Sequence, residues 1–446
     1  MTRSLTDVAH ELDTTWVVIT GVLVMFMQAG FACVEIGFSR GKNVGTVVAK
    51  ILINFSVATL VWWAVGFALA FGGGSLIAGD SGFFLSIGEH ISSGSPVAGS
   101  FTGDGAGFAF FQLVFCAVSL AIVWGTTLER IRFIAYPIYA IVFAGVIYPL
   151  VAHWIFGGGL LGHLGAGMQD FAGSTVVHLT GATGGLAALL LLGPRRGKYA
   201  SDGRPRAIPG HSMPLFGLGV LILWVGWFGF NPGSTLGTSG SRFAEVAFVT
   251  NLAAAAGAVG AAATVALITR RLDVGMVGNG VIAALVAITA PSGFVEFWAA
   301  PIIGGVAGVL VVVSVFAIDR VLDDPVGALS AHGVAGIWGT LACGLFSSPR
   351  LIDAAGLPGR PGLVYSGSFE QLGVQAVGIV ATFLVVFSLS YVTFAAIKAV
   401  FGLRVTADEE EQGLDLVEHG MYGYPEQFIT AQEFDLPTEF SHSEPV

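Results

Sequence analysis

Long apolar stretches recur along the chain and are separated by short polar linkers that hold most of the charged residues. A bilayer core about 30 Å thick is crossed by roughly 20 residues of α-helix, and only helices or closed barrels satisfy the backbone there. The stretches are rich in Leu, Val, Ala and Gly and lack two-residue alternation, which favours helices. The pattern predicts eleven transmembrane helices, near residues 15–37, 51–71, 105–127, 133–153, 171–192, 213–231, 244–268, 276–291, 295–317, 328–346 and 372–400.

The composition places the whole chain in a membrane. Of its 446 residues, 54% are hydrophobic and only 11% are charged, whereas soluble domains carry about 25% charged residues. The first residues include acids and lack the basic start and cleavage site of a signal peptide, so the first run is interpreted as a retained helix. The three cysteines lie inside apolar runs without metal-ligand spacing, and the sequence predicts neither a metal site nor a cofactor.

The linkers carry a charge bias that predicts orientation. Of the 19 basic residues, all but four lie on one side of the predicted helices, in linkers such as SRGKNVGTVVAK, ERIR and GPRRGKYASDGRPR. This basic side is cytoplasmic by the positive-inside rule. The sequence therefore predicts a multi-pass protein of the cell (plasma) membrane, with an extracellular N-terminal segment 1–14, a membrane domain 15–401 and a cytoplasmic tail 402–446.

The tail is strongly acidic. It holds eleven acidic residues and one basic residue, and this imbalance equals the net charge of −10 of the whole chain. An acidic segment argues against nucleic acid or anionic lipid as its partner. Two interpretations stay open: a solvated tail, or a segment that docks on another surface.

Two stretches place a histidine eight residues after an aspartate: DFAGSTVVH, from Asp170 to His178, and DPVGALSAH, from Asp324 to His332. They open the fifth and tenth predicted helices, which enter the bilayer from opposite faces. Eight residues rise about 12 Å in a helix, which brings each histidine near the middle of a core about 30 Å thick. The spacing predicts an inverted repeat of helices 1–5 and 6–10, plus an eleventh helix, with a transport site at the repeat interface.

Two imidazoles at matching depth predict a functional pair, because ionisable side chains are costly to bury in a bilayer. Each neutral imidazole offers one donor and one acceptor nitrogen, which suits a small neutral solute or a proton relay. Two histidines alone under-ligate a metal ion. A structural imidazole bonded to a neighbouring helix and a haem held between the two rings stay open as alternatives.

At this point the sequence resembles the ammonium transporters (the Amt/Mep/Rh superfamily), specifically the Amt branch. Over residues 15–420 the stretches that carry the resemblance occur in the family's order: AGFACVEIGFSRGKNV, FFQLVF, ERIRF, AHWIFGGGLL, DFAGSTVVHLTGATGGL, GWFGFNPGS, HGVAGIWG and EEEQGLDLVEHG. The resemblance implies an all-α integral membrane protein with eleven helices, an inverted five-helix repeat, one pore per subunit and a homotrimer. It implies a transporter rather than an enzyme, which recruits ammonium outside, deprotonates it and conducts ammonia, with or without separate proton transfer.

Motif position then implies the site residues. Substrate recruitment at the outer face falls to Phe115, Phe156, Asp170, Ala172 and Ser234. Phe115 and Phe230 correspond to a stacked phenyl gate, and His178 and His332 to the twin histidines of the pore and proton relay. Asp170 is also predicted to be the N-cap of its helix, and the capping and recruitment roles are compatible.

One position departs from the family pattern. AHWIFGGGLL has Phe156 where the family usually has tryptophan, and phenylalanine is the weaker cation–π partner. Two alternatives stay open: Phe156 still faces the ion, or the nearby Trp154 partly substitutes for the missing tryptophan.

Other function classes stay open beside transport. Some relatives of this fold sense ammonium and signal through a cytoplasmic partner, although only about 45 residues follow the last predicted helix here. The resemblance also implies a PII-class signalling protein as a partner at the cytoplasmic face. An aquaporin-like channel would need two Asn-Pro-Ala boxes, and this chain has a single NPG at residues 231–233.

Overall fold

The computed structural model describes residues 4–86, 95 and 101–428. In these ranges the regular structure is helical, and the β-type pairing is limited to isolated bridges between single residues. Ten helices are long and apolar enough to cross a membrane, and an eleventh apolar helix of 16 residues is shorter. In chain order they are α1 Leu5–Phe38, α2 Gly41–Phe71, α3 Gly105–Gly125, α4 Ala135–Ile155, α5 Ser174–Leu192, α6 Met213–Thr235, α7 Ser239–Thr269, α8 Val274–Thr289, α9 Ala299–Ile318, α10 Leu329–Phe346 and α11 Glu370–Val400.

These helices fall on the eleven predicted runs; α2 begins at Gly41 rather than near residue 51, and the start of α1 differs by as much. The helix begins at Leu5 rather than near residue 15, so most of the segment 1–14 is helical, while residues 1–3 lie outside the described part. A capping box explains the early start: the Ser4 hydroxyl accepts a hydrogen bond from the Asp7 amide, and the Asp7 carboxylate accepts one from the Ser4 amide.

Burial divides the helices into a centre and a periphery. Helices α3 and α5 are almost entirely buried, whereas the apolar stretches of α7, α9 and α11 are buried over only 28–33% of their residues. The exposed side chains of the outer helices are largely apolar, for example Phe248, Val259, Leu267, Val313 and Val392. An apolar surface of this extent fits contact with lipid, because water would not solvate it.

Two of the central helices open with a π-helical turn. In α5 this turn covers Ser174–Leu179 and contains His178, and in α10 it covers Leu329–Val334 and contains His332. Such turns are rare and often mark functional sites, because they displace side chains from regular helical spacing. Each predicted histidine therefore occupies the same irregular feature at the start of its helix.

A buried charge cluster ties the basic linkers together at one end of the bundle. The Arg195 guanidinium donates to both Asp323 carboxylate oxygens at 2.9 Å and contacts Glu129 at 3.2 Å. Burial alone raises the pKa of Asp323, but the hydrogen bonds from Arg195 and the charges of Arg130 and Arg195 outweigh it and lower the pKa to about 2. The cluster fixes three linkers that the charge bias predicts to be cytoplasmic.

The described part of the tail docks on this same end, which favours the second interpretation of the acidic segment. It forms short helices at Ala407–Gln412, Leu414–His419 and Pro425–Phe428, and residues 429–446 lie outside the described part. The buried Asp415 carboxylate accepts from the amides of Gly45 and Thr46, both at 2.8 Å. It thus caps the start of the α-helical part of α2, Val44–Val61, where Asn43 makes no side-chain cap.

We expect the Asp415→Ala substitution to release the tail. It removes the acceptor for two helix-end amides and the Thr46 hydroxyl, and lost bonds of this kind cost about 1–3 kcal/mol each. Endoproteinase Glu-C, read out by mass spectrometry, should cut the acidic tail at least tenfold faster than in the wild type. Asp408→Ala, at an exposed position of the same tail, is the matched control. Equal cleavage of the two variants would contradict the capping role.

Candidate functional site

A cavity of about 200 Å³ opens at the end of the bundle opposite the basic linkers. Its wall includes Phe115 from α3, Phe156 from the end of α4 and Ser234 from the end of α6. These are three of the five residues predicted to recruit substrate. Helices far apart in sequence therefore bring two aromatic rings and a hydroxyl to one cavity.

The floor of this cavity is a stacked pair of phenyl rings. The ring centroids of Phe115 and Phe230 lie 4.0 Å apart with the planes inclined by 20°, and both side chains are fully buried. The Phe111 ring packs on Phe115 from the cavity side, at 4.6 Å. Two stacked rings leave no polar group to replace the hydration of a cation.

Directly behind the stack lie the two histidines. The Phe230 and His178 ring centroids are 5.6 Å apart, and the Nδ1 atoms of His178 and His332 are 3.2 Å apart. The two imidazoles are nearly parallel, inclined by 16°, with centroids 5.3 Å apart. The two imidazoles that the sequence places at matching depth thus lie side by side inside the bundle.

A hydrogen bond between the two Nδ1 atoms constrains the protonation of the pair. One ring must donate and the other accept, so a single proton serves both nitrogens. The His178 Nε2 atom is buried and has no hydrogen-bond partner among the described residues. The Trp227 ring stacks on His178 at 5.4 Å and fixes its plane. The pair is therefore an oriented polar element in an apolar wall.

Asp170 is a helix cap with two buried oxygens. Oδ1 accepts from the amides of Gly173 and Ser174, at 2.7 and 3.0 Å, and Oδ2 from those of Thr175 and Val176, at 2.9 and 3.0 Å. Four amide donors fully engage the carboxylate. Neither Asp170 nor the buried Ala172 lines the outer cavity, so the structure brings together only part of the predicted recruitment set.

Ser234 is held at the cavity wall by its own helix. Its hydroxyl donates to the Phe230 carbonyl at 2.9 Å, which leaves the oxygen lone pairs available to the cavity. The hydroxyl is thereby coupled to the residue whose ring stacks on Phe115.

Of the two alternatives for the missing tryptophan, the geometry favours Phe156 over Trp154. Its indole N–H donates to the Ile77 carbonyl at 2.9 Å, and the side chain is not part of the cavity wall, whereas Phe156 is. The reason is helical geometry, because residues two apart point about 200° from each other around the axis. Phe156 is the aromatic residue of this segment that faces the cavity.

Sequence reasoning missed two polar residues of the outer cavity. Asp13 lines it and accepts from the Thr102 hydroxyl at 2.7 Å and the Thr238 amide at 2.8 Å. Gln112 also lines it, and its buried Oε1 has no hydrogen-bond partner in the described chain. The signal for Gln112 was its position inside the motif FFQLVF, whereas nothing local in the sequence marks Asp13.

Comparison with known proteins decides the family. The model of the Ammonium Transporter Family matches residues 15–424. This chain belongs to the ammonium transporter family. The family assigns ammonium transport in a membrane to the bundle described above.

Individual relatives cover nearly the whole transporter. Ammonium transporter Amt2 of Archaeoglobus fulgidus is 44% identical, over 95% of this chain and 91% of its own length. An ammonium transporter of Bacillus subtilis is 35% identical, over 92% of this chain and 98% of its own. The similarity therefore extends through both halves of the bundle and into the tail.

Solved structures share the fold of the transporter. One described as a Sensor Amt Protein superposes with a TM-score of 0.83 at 35% identity, covering 93% of this chain and 99% of its own. Mep2 of Candida albicans superposes with a TM-score of 0.83 at 29% identity, covering 94% and 92%. The fold thus occurs in a protein named as a sensor as well as in a Mep protein.

Proposed function

We propose that this transporter recruits ammonium in the outer cavity, removes a proton and conducts ammonia past the twin histidines. The observation that carries the proposal is the order of the parts: cavity, stacked Phe115 and Phe230, then bonded His178 and His332. A cation can bind in the first part, whereas the following parts favour a neutral molecule. The protein acts as a transporter and not as an enzyme.

Recruitment uses the faces of aromatic rings and a hydroxyl. Phe156 offers its ring face to ammonium, worth about 0.5–2 kcal/mol depending on desolvation, Phe115 supports the site from beneath Phe111, and the Ser234 oxygen replaces one water. Asp170 acts from behind the wall by holding the first turn of α5 in place, and Ala172 is part of the same segment. The negative charge of Asp170 also favours a cation nearby.

Deprotonation avoids the cost of moving a charge through the bilayer. A full charge at the bilayer centre costs at least about 3 kcal/mol, and the phenyl stack offers no compensation. Ammonia crosses as a neutral molecule and donates or accepts hydrogen bonds at the histidine pair. Potassium is excluded, because it has no proton to lose and needs a ring of oxygen ligands.

The architecture of the proposal follows the sequence prediction. Matched π-helical turns in α5 and α10 support an inverted repeat of helices 1–5 and 6–10, as does the Asp324 carboxylate, which accepts from the Leu329 amide at 2.7 Å much as Asp170 caps α5. We propose eleven spans, one pore per subunit, a homotrimer, an outer N-terminal segment 1–14, a membrane domain 15–401 and a cytoplasmic tail 402–446 in the plasma membrane. Native mass spectrometry tests the trimer.

Solid-supported-membrane electrophysiology on proteoliposomes tests the function. Ammonium pulses should evoke uptake, and a current beside it means that a proton follows the ammonia, whereas uptake without current means neutral permeation. Potassium pulses of equal concentration should evoke neither. Absence of ammonium uptake by folded, reconstituted protein would contradict the proposal.

A second candidate function is ammonium sensing through a cytoplasmic partner such as a PII-class protein. Similarity to the protein described as a Sensor Amt Protein favours it, as does the docked tail, which places acidic side chains at the cytoplasmic end. Uptake assays with and without residues 402–446 separate the two. Uptake that persists without the tail supports transport as the primary role.

Replacing Phe156 by tryptophan should strengthen recruitment. Tryptophan is the better cation–π partner by about 0.5–1 kcal/mol, which corresponds to roughly a twofold to fivefold lower KM for ammonium uptake. Phe156→Leu, which keeps an apolar side chain without a ring, should raise the KM instead. Equal KM values in all three proteins would show that Phe156 does not contact the ion.

A further inference from the structure

A second cavity, of about 20 Å³, lies on the other side of the histidine pair. Its wall includes His332 from α10, Phe31 and Glu35 from α1 and Gly125 and Val326, which adjoin the basic linkers. The Phe31 ring lies 6.3 Å from the His332 ring, and Glu35 follows one turn later, about 6 Å further along α1. A carboxylate therefore borders the path between the histidines and the cytoplasmic end.

Glu35 forms a buried ion pair with Lys50 of α2. The two side chains are 2% and 0% exposed, and the Lys50 Nζ lies 5.8 Å from the centroid of the Tyr136 ring. Lys50 is not part of the cavity wall, so Glu35 stands between the cavity and its countercharge. The Glu35 Oε1 atom has no hydrogen-bond partner in the described part of the chain.

A charge pair inside a membrane helix is costly and marks a functional position more often than a stabilising one. The outer cavity, the phenyl gate and the histidine pair do not use the Glu35–Lys50 ion pair. They also do not explain which group returns a proton to ammonia at the inner end of the path. Both gaps meet at Glu35, whose side chain lines the inner cavity and whose Oε1 has no hydrogen-bond partner among the described residues.

We propose that Glu35 is the inner proton-exchange group of this transporter and that Lys50 sets its charge. The inference rests on the proposed function and extends it to the cytoplasmic end. Hydronium from the cytoplasm gives a proton to Glu35 Oε1, which forms an O–H bond and releases water. Ammonia arriving from His332 takes that proton: the O–H bond breaks, an N–H bond forms, and ammonium and a carboxylate result.

Lys50 then explains why the product leaves. A lone buried carboxylate would hold ammonium strongly, because an opposite charge in a weakly polar site is poorly screened. The lysine ammonium group already neutralises the carboxylate and competes with the product for it. Glu35 is a carboxylate before and after the step. The net reaction transfers one proton from hydronium to one ammonia.

The test removes both charges together, so that neither is left buried alone. Glu35→Gln/Lys50→Gln should keep the melting temperature of the wild type and lower the initial ammonium flux into proteoliposomes by about tenfold. This is less than the roughly 100-fold of a typical general acid, because cytoplasmic water also supplies protons. Wild-type flux in the double variant would overturn the inference. The same preparation of wild-type protein must transport, and its failure to do so would overturn the proposed function itself.

Infrared difference spectra distinguish proton exchange at Glu35 from a purely structural role, because they report directly on protonation of a carboxyl group. Adding ammonium to protein labelled with ¹³C-glutamate should change the carbonyl band of a protonated carboxyl group, and the double variant should lose this change. Glu410→Gln should retain it, because Glu410 is also buried and paired with an arginine, Arg404 at 2.7 Å, but lies in the tail. A band that survives in the double variant would overturn the inference.

A second variant covers the case in which the double variant does not fold. Glu35→Asp keeps the charge and the pairing with Lys50 but withdraws the oxygens by about one methylene group from the cavity. Its flux should fall while its melting temperature stays near that of the wild type. Wild-type flux in this variant would count against Glu35 as the proton-exchange group.

Discussion

Alanine at both His178 and His332 is expected to abolish selective ammonium transport. The substitution removes the hydrogen-bonded pair whose Nδ1 atoms lie 3.2 Å apart and the polar group that follows the phenyl gate. A solute between Phe230 and the inner cavity then meets only apolar walls or invading water. Initial ammonium uptake by proteoliposomes should fall by about 100-fold or more, in line with the loss of a proton-transfer group, or potassium should begin to pass.

The control for this variant is His163→Ala. His163 is an exposed histidine whose Nδ1 contacts the Gly159 carbonyl of its own turn at 3.0 Å, away from both cavities. It should leave uptake and potassium exclusion unchanged. Wild-type uptake together with wild-type exclusion of potassium in the double alanine variant would refute the relay.

Asparagine at Asp170 is expected to produce the second large loss. The carboxylate accepts four backbone amides, and an asparagine side chain has only one acceptor oxygen and turns an NH₂ group towards the remaining donors. Leaving two buried amides unsatisfied costs about 2–6 kcal/mol. The first turn of α5 would loosen, and with it the placement of His178. We expect ammonium uptake to fall at least tenfold and the melting temperature to drop.

Asp324→Asn is the matched control, because Asp324 stands at the same distance before the other histidine. Its Oδ2 accepts from the Leu329 amide and its Oδ1 is unpartnered among the described residues. The substitution therefore disturbs fewer backbone hydrogen bonds than Asp170→Asn does. We expect a smaller loss of thermal stability than in Asp170→Asn. Asp170→Asn protein with unchanged uptake would show that neither the cap nor the charge at this position matters for transport.

Much of the membrane architecture could be predicted from the sequence. The eleven apolar runs coincide with α1 to α11, because the bilayer forces each crossing segment to be apolar and helical over a fixed length. The starts of α1 and α2 were the main errors. For α1 the reason is that hydropathy does not register a capping box, and Ser4 with Asp7 extends the helix beyond the apolar run. The docking of the tail also depended on partners distant in sequence, such as Asp415 on Gly45.

The site was predictable where a motif or a spacing carried it. The recurrence of Asp and His eight residues apart placed two imidazoles at equal depth, and the tertiary structure brings their Nδ1 atoms together. The family motifs singled out Phe115 and Phe230 among 34 phenylalanines, and their rings stack. Trp154 failed as a substitute for the usual tryptophan because the motif gives proximity in sequence but not the direction of a side chain.

The sequence by itself determined a membrane-embedded helical bundle, its charge asymmetry and two buried histidines, since hydropathy and spacing are local properties. Only the tertiary structure decided which side chains share a cavity: Asp13 and Gln112 beside Phe115 at one end, and Glu35 with Lys50 beside His332 at the other. These groupings join helices that are tens to hundreds of residues apart. Packing of the whole bundle, and not any local pattern, sets which faces meet.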